Sequence, residues 1–142
     1  MGAWDTGIFD NDGAGDCLIA IQHNPASIQE QVQYIQNTWL EEEYMEVDEG
    51  SSILALGELV LIAYGIQPTH PLTADIDLEA IKSQLTQEIL SQITQLIRVA
   101  LNVDNTGASE IYELWAEADT ADFAAWKHTG NNVLAKLEQI NL

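Results

Sequence analysis

The stretch Ser51-Ser52-Ile53-Leu54-Ala55-Leu56-Gly57-Glu58-Leu59-Val60-Leu61-Ile62-Ala63-Tyr64-Gly65 decides the fold. Its apolar residues fall on nearly every face of a helical wheel, and a helix of that kind is buried all round. The segment is therefore the expected central helix of the domain. Ser51 or Ser52 is expected to open it, and Gly65 with Pro68 to close it. The apolar run from Ile53 to Ile66 is interrupted by Gly57 and Glu58 and is too short to span a bilayer.

Working outward, the neighbouring segments are also helical but amphipathic. Upstream, Ser27 and Glu30 have capping-box spacing, and Ile28, Val32, Ile35 and Trp39 recur on one stripe. That helix runs into Glu41-Glu42-Glu43, whose charge opposes the dipole at a C-terminus, so it either continues for another turn or has its acids held by a partner. Downstream, one long helix is expected from Asp75 or Asp77 through Leu85, Ile93 and Ala100 to about Val103, followed by a turn at Asp104-Asn105-Thr106-Gly107. Ser109 caps a short helix through Ile111, Leu114 and Trp115. Asp119 or Thr120 starts the last helix, which Gly130 threatens to break. At the other end, residues 1–13 form an irregular leader rich in Gly and Asp, before a short helix through Leu18, Ile19 and Ile21 that stops at Asn24-Pro25. The expected fold is all-α, a single compact domain over residues 1–142, with five or six helices around one buried helix.

A chain of 142 residues suits one domain. At that size roughly 70% of the unfolded surface can be buried, enough for an apolar core without staples. The outlier is charge. Twenty-three Asp and Glu face only Lys82, Arg98, Lys127 and Lys136, for a net charge of -19. Nucleic acid and anionic membranes are poor partners for such a chain, because phosphate contact needs a basic footprint. A cation or a basic protein suits it better. The single Cys17 excludes an intramolecular disulfide and fits a reducing compartment, and no basic segment precedes an apolar run at the start, so a cytoplasmic location is expected.

The residues that break the bland pattern are few. Asp10, Asp12 and Asp16 have the spacing of oxygen ligands for a cation. Counted as a calcium loop from Asp10, Gly15 stands correctly at the sixth position, but Ala14 and Ile21 replace ligands at the fifth and twelfth. The structural alternative, favoured here, is that Asp and Asn cap the helix that follows. Glu58, amid apolar residues, must be paired, hydrogen-bonded or protonated. It is either a general base or ligand, or a structural acceptor for Trp4, for leader amides, or for Arg98. Trp4 itself either plugs a groove or marks an interface. Trp39, Trp115 and Trp126 fall on core stripes. His23, His70 and His128 are isolated and belong at the surface or at helix ends, and no cluster with zinc spacing occurs. Ser27, Ser51 and Ser109 sit where caps are needed. No phosphate-binding glycine loop is present, and nothing calls for a cofactor.

The opening Met1-Gly2-Ala3-Trp4-Asp5-Thr6-Gly7-Ile8-Phe9-Asp10-Asn11-Asp12 resembles the start of the bacterial domain-of-unknown-function family 4259. Ala55 to Ala63, with Glu58, is similar to that family's central helix. Ser109-Glu110-Ile111, Leu114-Trp115 with Glu117, and Trp126 resemble its later motifs. Asp5, Gly13 and Cys17 depart from its usual Gly, Asp and large aromatic, which weakens an intact acidic site at the N-terminus. The resemblance implies a bacterial, helical, cytoplasmic protein and carries no activity.

The leading functional expectation is a non-enzymatic protein-binding module, an immunity or antitoxin-like partner of a basic protein. Its contact patch would be Glu41, Glu42, Glu43, Glu46, Asp48 and Glu49. The alternatives are a metal-binding protein or metal-dependent enzyme using Asp10, Asp12, Asp16 and Glu58, and a structural homo-oligomer.

Overall fold

In a computed structural model, which describes residues 7–142, the quoted stretch is helical and its helix begins at Val47, not at Ser51 or Ser52. The earlier start has a local cause. The Glu46 carboxylate accepts the amide of Glu49, the third residue of the helix, and the Glu49 carboxylate accepts the Glu46 amide at 3.0 Å. Two glutamates thus complete a capping box where the dipole favours negative charge. Ser51 is instead buried inside the helix. At the far end Gly65 takes φ +72°, its amide bonding Ile62 O and that of Ile66 bonding Leu61 O. That is the left-handed closure a glycine allows at low cost.

Seven α-helices are described: α1 (Asp12–His23), α2 (Ser27–Glu42), α3 (Val47–Ala63), α4 (Leu78–Gln84), α5 (Gln87–Ala100), α6 (Glu110–Ala116) and α7 (Thr120–Leu137), with a 3-10 turn at Pro71–Thr73. No strand occurs among the described residues, only an isolated bridge of Met45 with Ser109. Helix α3 is central. It packs most extensively on α1, α5 and α7 and also touches α2, α4 and α6. Leu56, Leu59, Leu61, Ile93, Ile97 and Leu137 are fully buried around it. Gly57 lets the neighbours close in, since a Cβ there would stand 2.6 Å from Ile97 Cδ1 and 3.1 Å from Leu137 Cδ1.

The all-α class and the buried central helix are as expected, while several boundaries are not. The long fourth helix is two, which raises the count to seven. Leu85 and Thr86 are extended, and the Thr86 hydroxyl accepts the Ile89 amide at 3.1 Å to start α5 afresh. The box expected from Ser27 and Glu30 does not form, because Asn24, Pro25 and Ala26 carbonyls accept the Ser27, Ile28 and Gln29 amides. With those donors satisfied, Ser27 is buried and its hydroxyl has no partner among the described residues. The leader ends sooner than expected, at Asn11, whose side chain accepts the Ala14 amide at 2.8 Å. Asn11, not an aspartate, is that cap. Gly130 does not break α7, and a Cβ on it would meet Leu101 Cδ2 at 2.5 Å, so it is a packing contact. Ser109, Asp77 and Asp119 cap as expected.

Candidate functional site

Two places gather acidic residues singled out from the sequence. The first is an acidic corner where α2 ends and α3 begins. Glu43 adopts φ 55° and terminates α2, leaving Glu41, Glu42 and Glu43 exposed with their charge against the dipole of their own helix. Glu46, Asp48 and Glu49 follow in the first turn of α3, where the same dipole favours them. Three residues of the acidic run are thus explained by helix initiation, and Glu41–Glu43 are not.

Helix α6 stitches this corner together. Met45 exchanges backbone bonds with Ala108 and Glu110, and the Glu110 carboxylate accepts the Val47 amide at 2.8 Å. The Tyr44 hydroxyl donates to Glu113 Oε2 at 3.0 Å. Glu110 and Glu113, outside the run singled out in the sequence, therefore enlarge the acidic corner. The Tyr44 phenol is pushed up to about 12, first by partial burial, then by the Glu113 hydrogen bond and the charges of Glu113, Glu110 and Glu46. Burial, with Glu46, Glu42 and Asp48 nearby, also raises the Glu49 carboxyl above its ordinary range. Between α2 and the start of α3 lies a groove of about 470 Å³, lined by Glu30, Tyr34 and Ile35 on one side and Glu46, Asp48 and Glu49 on the other.

Among the described residues no basic side chain lines that groove. The Arg98 guanidinium pairs with Glu138, in the one ion pair among the described residues. Lys136 donates to Gln67 Oε1 at 3.0 Å, Lys127 lies 4.5 Å above the Phe123 ring and Lys82 5.2 Å from that of Tyr64. Each of the four Lys and Arg side chains thus has a contact away from the groove.

The second place is a cleft of about 350 Å³ at the C-terminal half of α3, where Gly7–Asp10, Glu58 and the Gln67–His70 loop meet. It brings together Asp10 and Glu58, both singled out from the sequence, with His70, which sequence reasoning set aside as an isolated surface or helix-end residue. The His70 ring packs edge-on against Phe9 at 5.0 Å, and its Nδ1 accepts the Leu72 amide at 3.0 Å, so in the neutral ring Nε2 carries the proton. Glu58 does not pair with Arg98. Its Oε1 is sealed from solvent and has no hydrogen-bond partner among the described residues. Burial raises its carboxyl above the ordinary range, opposed by the Gln67 side chain and the charges of Lys136 and His70. Trp4, its other suggested partner, lies outside the described residues, as does Asp5.

The remaining candidates are not brought to either place. Asp12 and Asp16 are exposed on α1, Asp12 in the first turn, where the dipole favours it. Among the described residues no group of three or more His, Cys, Asp or Glu converges to hold a metal. Trp115 is buried and stacks on Trp126 at 6.0 Å, and Glu117 is the exposed residue that ends α6. His23 and His128 are exposed. Among the described residues no helix is long and apolar enough to cross a membrane.

A family described as "Domain of unknown function (DUF4259)" matches residues 2–129, and the chain belongs to it. No curated protein and no solved structure matches the chain.

Proposed function

From its place in a family of unknown function, we propose that this chain is a non-enzymatic protein-binding module of a bacterial cytoplasm, docking a basic protein as an immunity or antitoxin protein does. One observation carries this. Glu41–Glu43 stand exposed against their own helix dipole, beside Glu46, Asp48, Glu110 and Glu113, while all four basic residues are engaged elsewhere. Charge that costs folding energy and meets no internal counter-charge is explained if its counter-charge comes from another molecule. The adjoining groove adds an exposed aromatic, Tyr34, and an apolar floor at Ile35, which give such a partner something to bury.

The test is capture of the tagged chain's partners from bacterial cells, washed at low and high salt, followed by association kinetics with the protein retained. A basic protein held at low salt and shed at high salt is expected. The variant Glu30→Gln, Glu42→Gln, Asp48→Asn removes three exposed charges while sparing the Glu46–Glu49 capping box. It should slow association about tenfold or more at low salt, because rim charges act mainly on the on-rate. Association unchanged by this triple substitution refutes the acidic corner as the docking face.

A further inference from the structure

The loop that joins α3 to α4 uses a histidine as a cap. His70 precedes the 3-10 turn at Pro71–Thr73 with extended backbone, and its Nδ1 accepts the Leu72 amide at 3.0 Å. Ser, Thr, Asp and Asn are the usual cap residues, and none of them changes charge near neutral pH. An imidazole does. The other bonds of the turn involve no titrating atom. Thr73 Oγ1 accepts the His70 amide at 3.3 Å and donates to His70 O at 2.7 Å, and the Thr73 amide donates to His70 O at 2.9 Å. Thr73 is buried, whereas Leu72 is 45% exposed, so the Leu72 amide can pass from the ring to water at little cost.

We propose that His70 is a pH-operated latch: uncharged, it caps this turn, and charged, it releases the Leu72 amide and pairs with Asp10 across the cleft. The capping bond requires a bare Nδ1, because the nitrogen lone pair receives the Leu72 proton. The second proton of an imidazolium occupies that lone pair and sets two N–H groups against each other. The cap therefore cannot survive protonation in this rotamer. What surrounds the ring favours its charge. The ring packs edge-on against Phe9 at 5.0 Å, and Asp10, the next residue, lines the same cleft. Glu58 of α3 lines it too, and a positive His70 lies near enough to favour its ionised form. Lys136 of α7 opposes them, with its ammonium on Gln67 Oε1 at 3.0 Å. On α1, which packs against the turn, Asp12 and Asp16 are exposed and Cys17 is buried. The cavity that His70 shares with Thr73, Ile76 and Leu78 has no other titratable side chain among the described residues on its walls. Two carboxylates against one ammonium thus draw a charged ring toward the segment that leads into α1. Falling pH moves one contact from the turn to that segment and ties the α3–α4 loop to it.

The experiment is an NMR titration of the full chain from pH 8 to pH 5 that follows the His70 ring nitrogens and the Leu72 amide together. At pH 8 the ring should carry its proton on Nε2. As it gains the second proton, the Leu72 amide signal should move with the same midpoint. Protection of that amide from exchange, corrected for the intrinsic rate, should fall about fivefold, the usual effect of losing one cap. The Thr73 amide, bonded to a carbonyl, should keep its protection. In His70→Asn the side-chain oxygen can take the Leu72 amide and cannot titrate, so that amide should hold its position throughout. In Asp10→Asn the ring should still release Leu72, at a midpoint lower by roughly a few tenths of a pH unit, the scale of an exposed ion pair. A Leu72 amide that stays fixed while the ring titrates overturns the latch, as does a ring that stays uncharged to pH 5. Equal movement of that amide in His70→Asn overturns it as well, and an unmoved midpoint in Asp10→Asn overturns the pairing. The wild-type comparison of ring and amide needs no variant, so it decides the release even where a substituted chain does not fold.

Discussion

Gly13 and Gly15 lie two residues apart on α1, and replacing each by alanine should move stability in opposite directions. Both substitutions remove a glycine from a helix, a gain of about 0.5–1 kcal/mol each. They differ in what the new methyl meets. At Gly13 a Cβ would stand 2.9 Å from Ser51 Cβ, 3.3 Å from Asp48 O and 3.4 Å from the Asp48 Cα. Two of those three neighbours are backbone of α3 and cannot rotate away, so α1 must shift off its most extensive contact at an overpacking cost of about 1–3 kcal/mol. At Gly15 none of the described residues lies within 4 Å of the new methyl, and the helical gain stands alone. Because the propensity gains cancel in the comparison, Gly13→Ala should be less stable than Gly15→Ala by the overpacking cost, about 1–3 kcal/mol. At about 4 °C per kcal/mol for a domain of this size, the two melting temperatures should differ by about 4–12 °C. Urea unfolding followed by far-UV circular dichroism and by tryptophan emission measures both. A Gly13→Ala chain as stable as Gly15→Ala would refute the close crossing of α1 over α3.

Glu58 is held above its ordinary range by burial, so ionising it costs stability that is absent at low pH and grows as pH rises through its raised value. Glu58→Gln should therefore melt higher than wild type at pH 7, with the gap closing toward pH 4. A gap that is constant with pH would contradict this. Burial pushes the Cys17 thiol up to about 12, against a smaller opposing effect of the Ser52 side chain. It should stay unreactive to a thiol-disulfide reagent at pH 8 in the native chain and react fully in denaturant, and rapid native labelling would show that the site opens.

Much of the fold was legible because helices are local. The all-round apolar run of Ile53–Ile62 could only be a buried helix, and the stripe of Ile28, Val32 and Ile35 could only face a core. Single-residue caps such as Asp77, Ser109 and Asp119 were equally readable, since each bonds an amide two or three residues away. Capping boxes were less so. Ser27-x-x-Glu30 has the pattern and is not used, while Glu46 and Glu49 lack the usual hydroxyl and are used. Which one forms depends on whether the preceding turn has already satisfied the amides, and side-chain spacing does not carry that information.

Sequence alone thus determined the helical class, the identity of the central helix, the excess of negative charge and the oddity of Glu58, all properties set by neighbours within a turn or two. Tertiary structure decided what those residues meet. It split the acidic run into a helix end and a helix start, and added Glu110 and Glu113 from more than sixty positions away. It gave Arg98 to Glu138 rather than to Glu58, and it set His70 beside Phe9 at the mouth of a cleft. The physical reason is that a side chain's periodicity is written in its own helix, whereas its partner is chosen by how the helices pack.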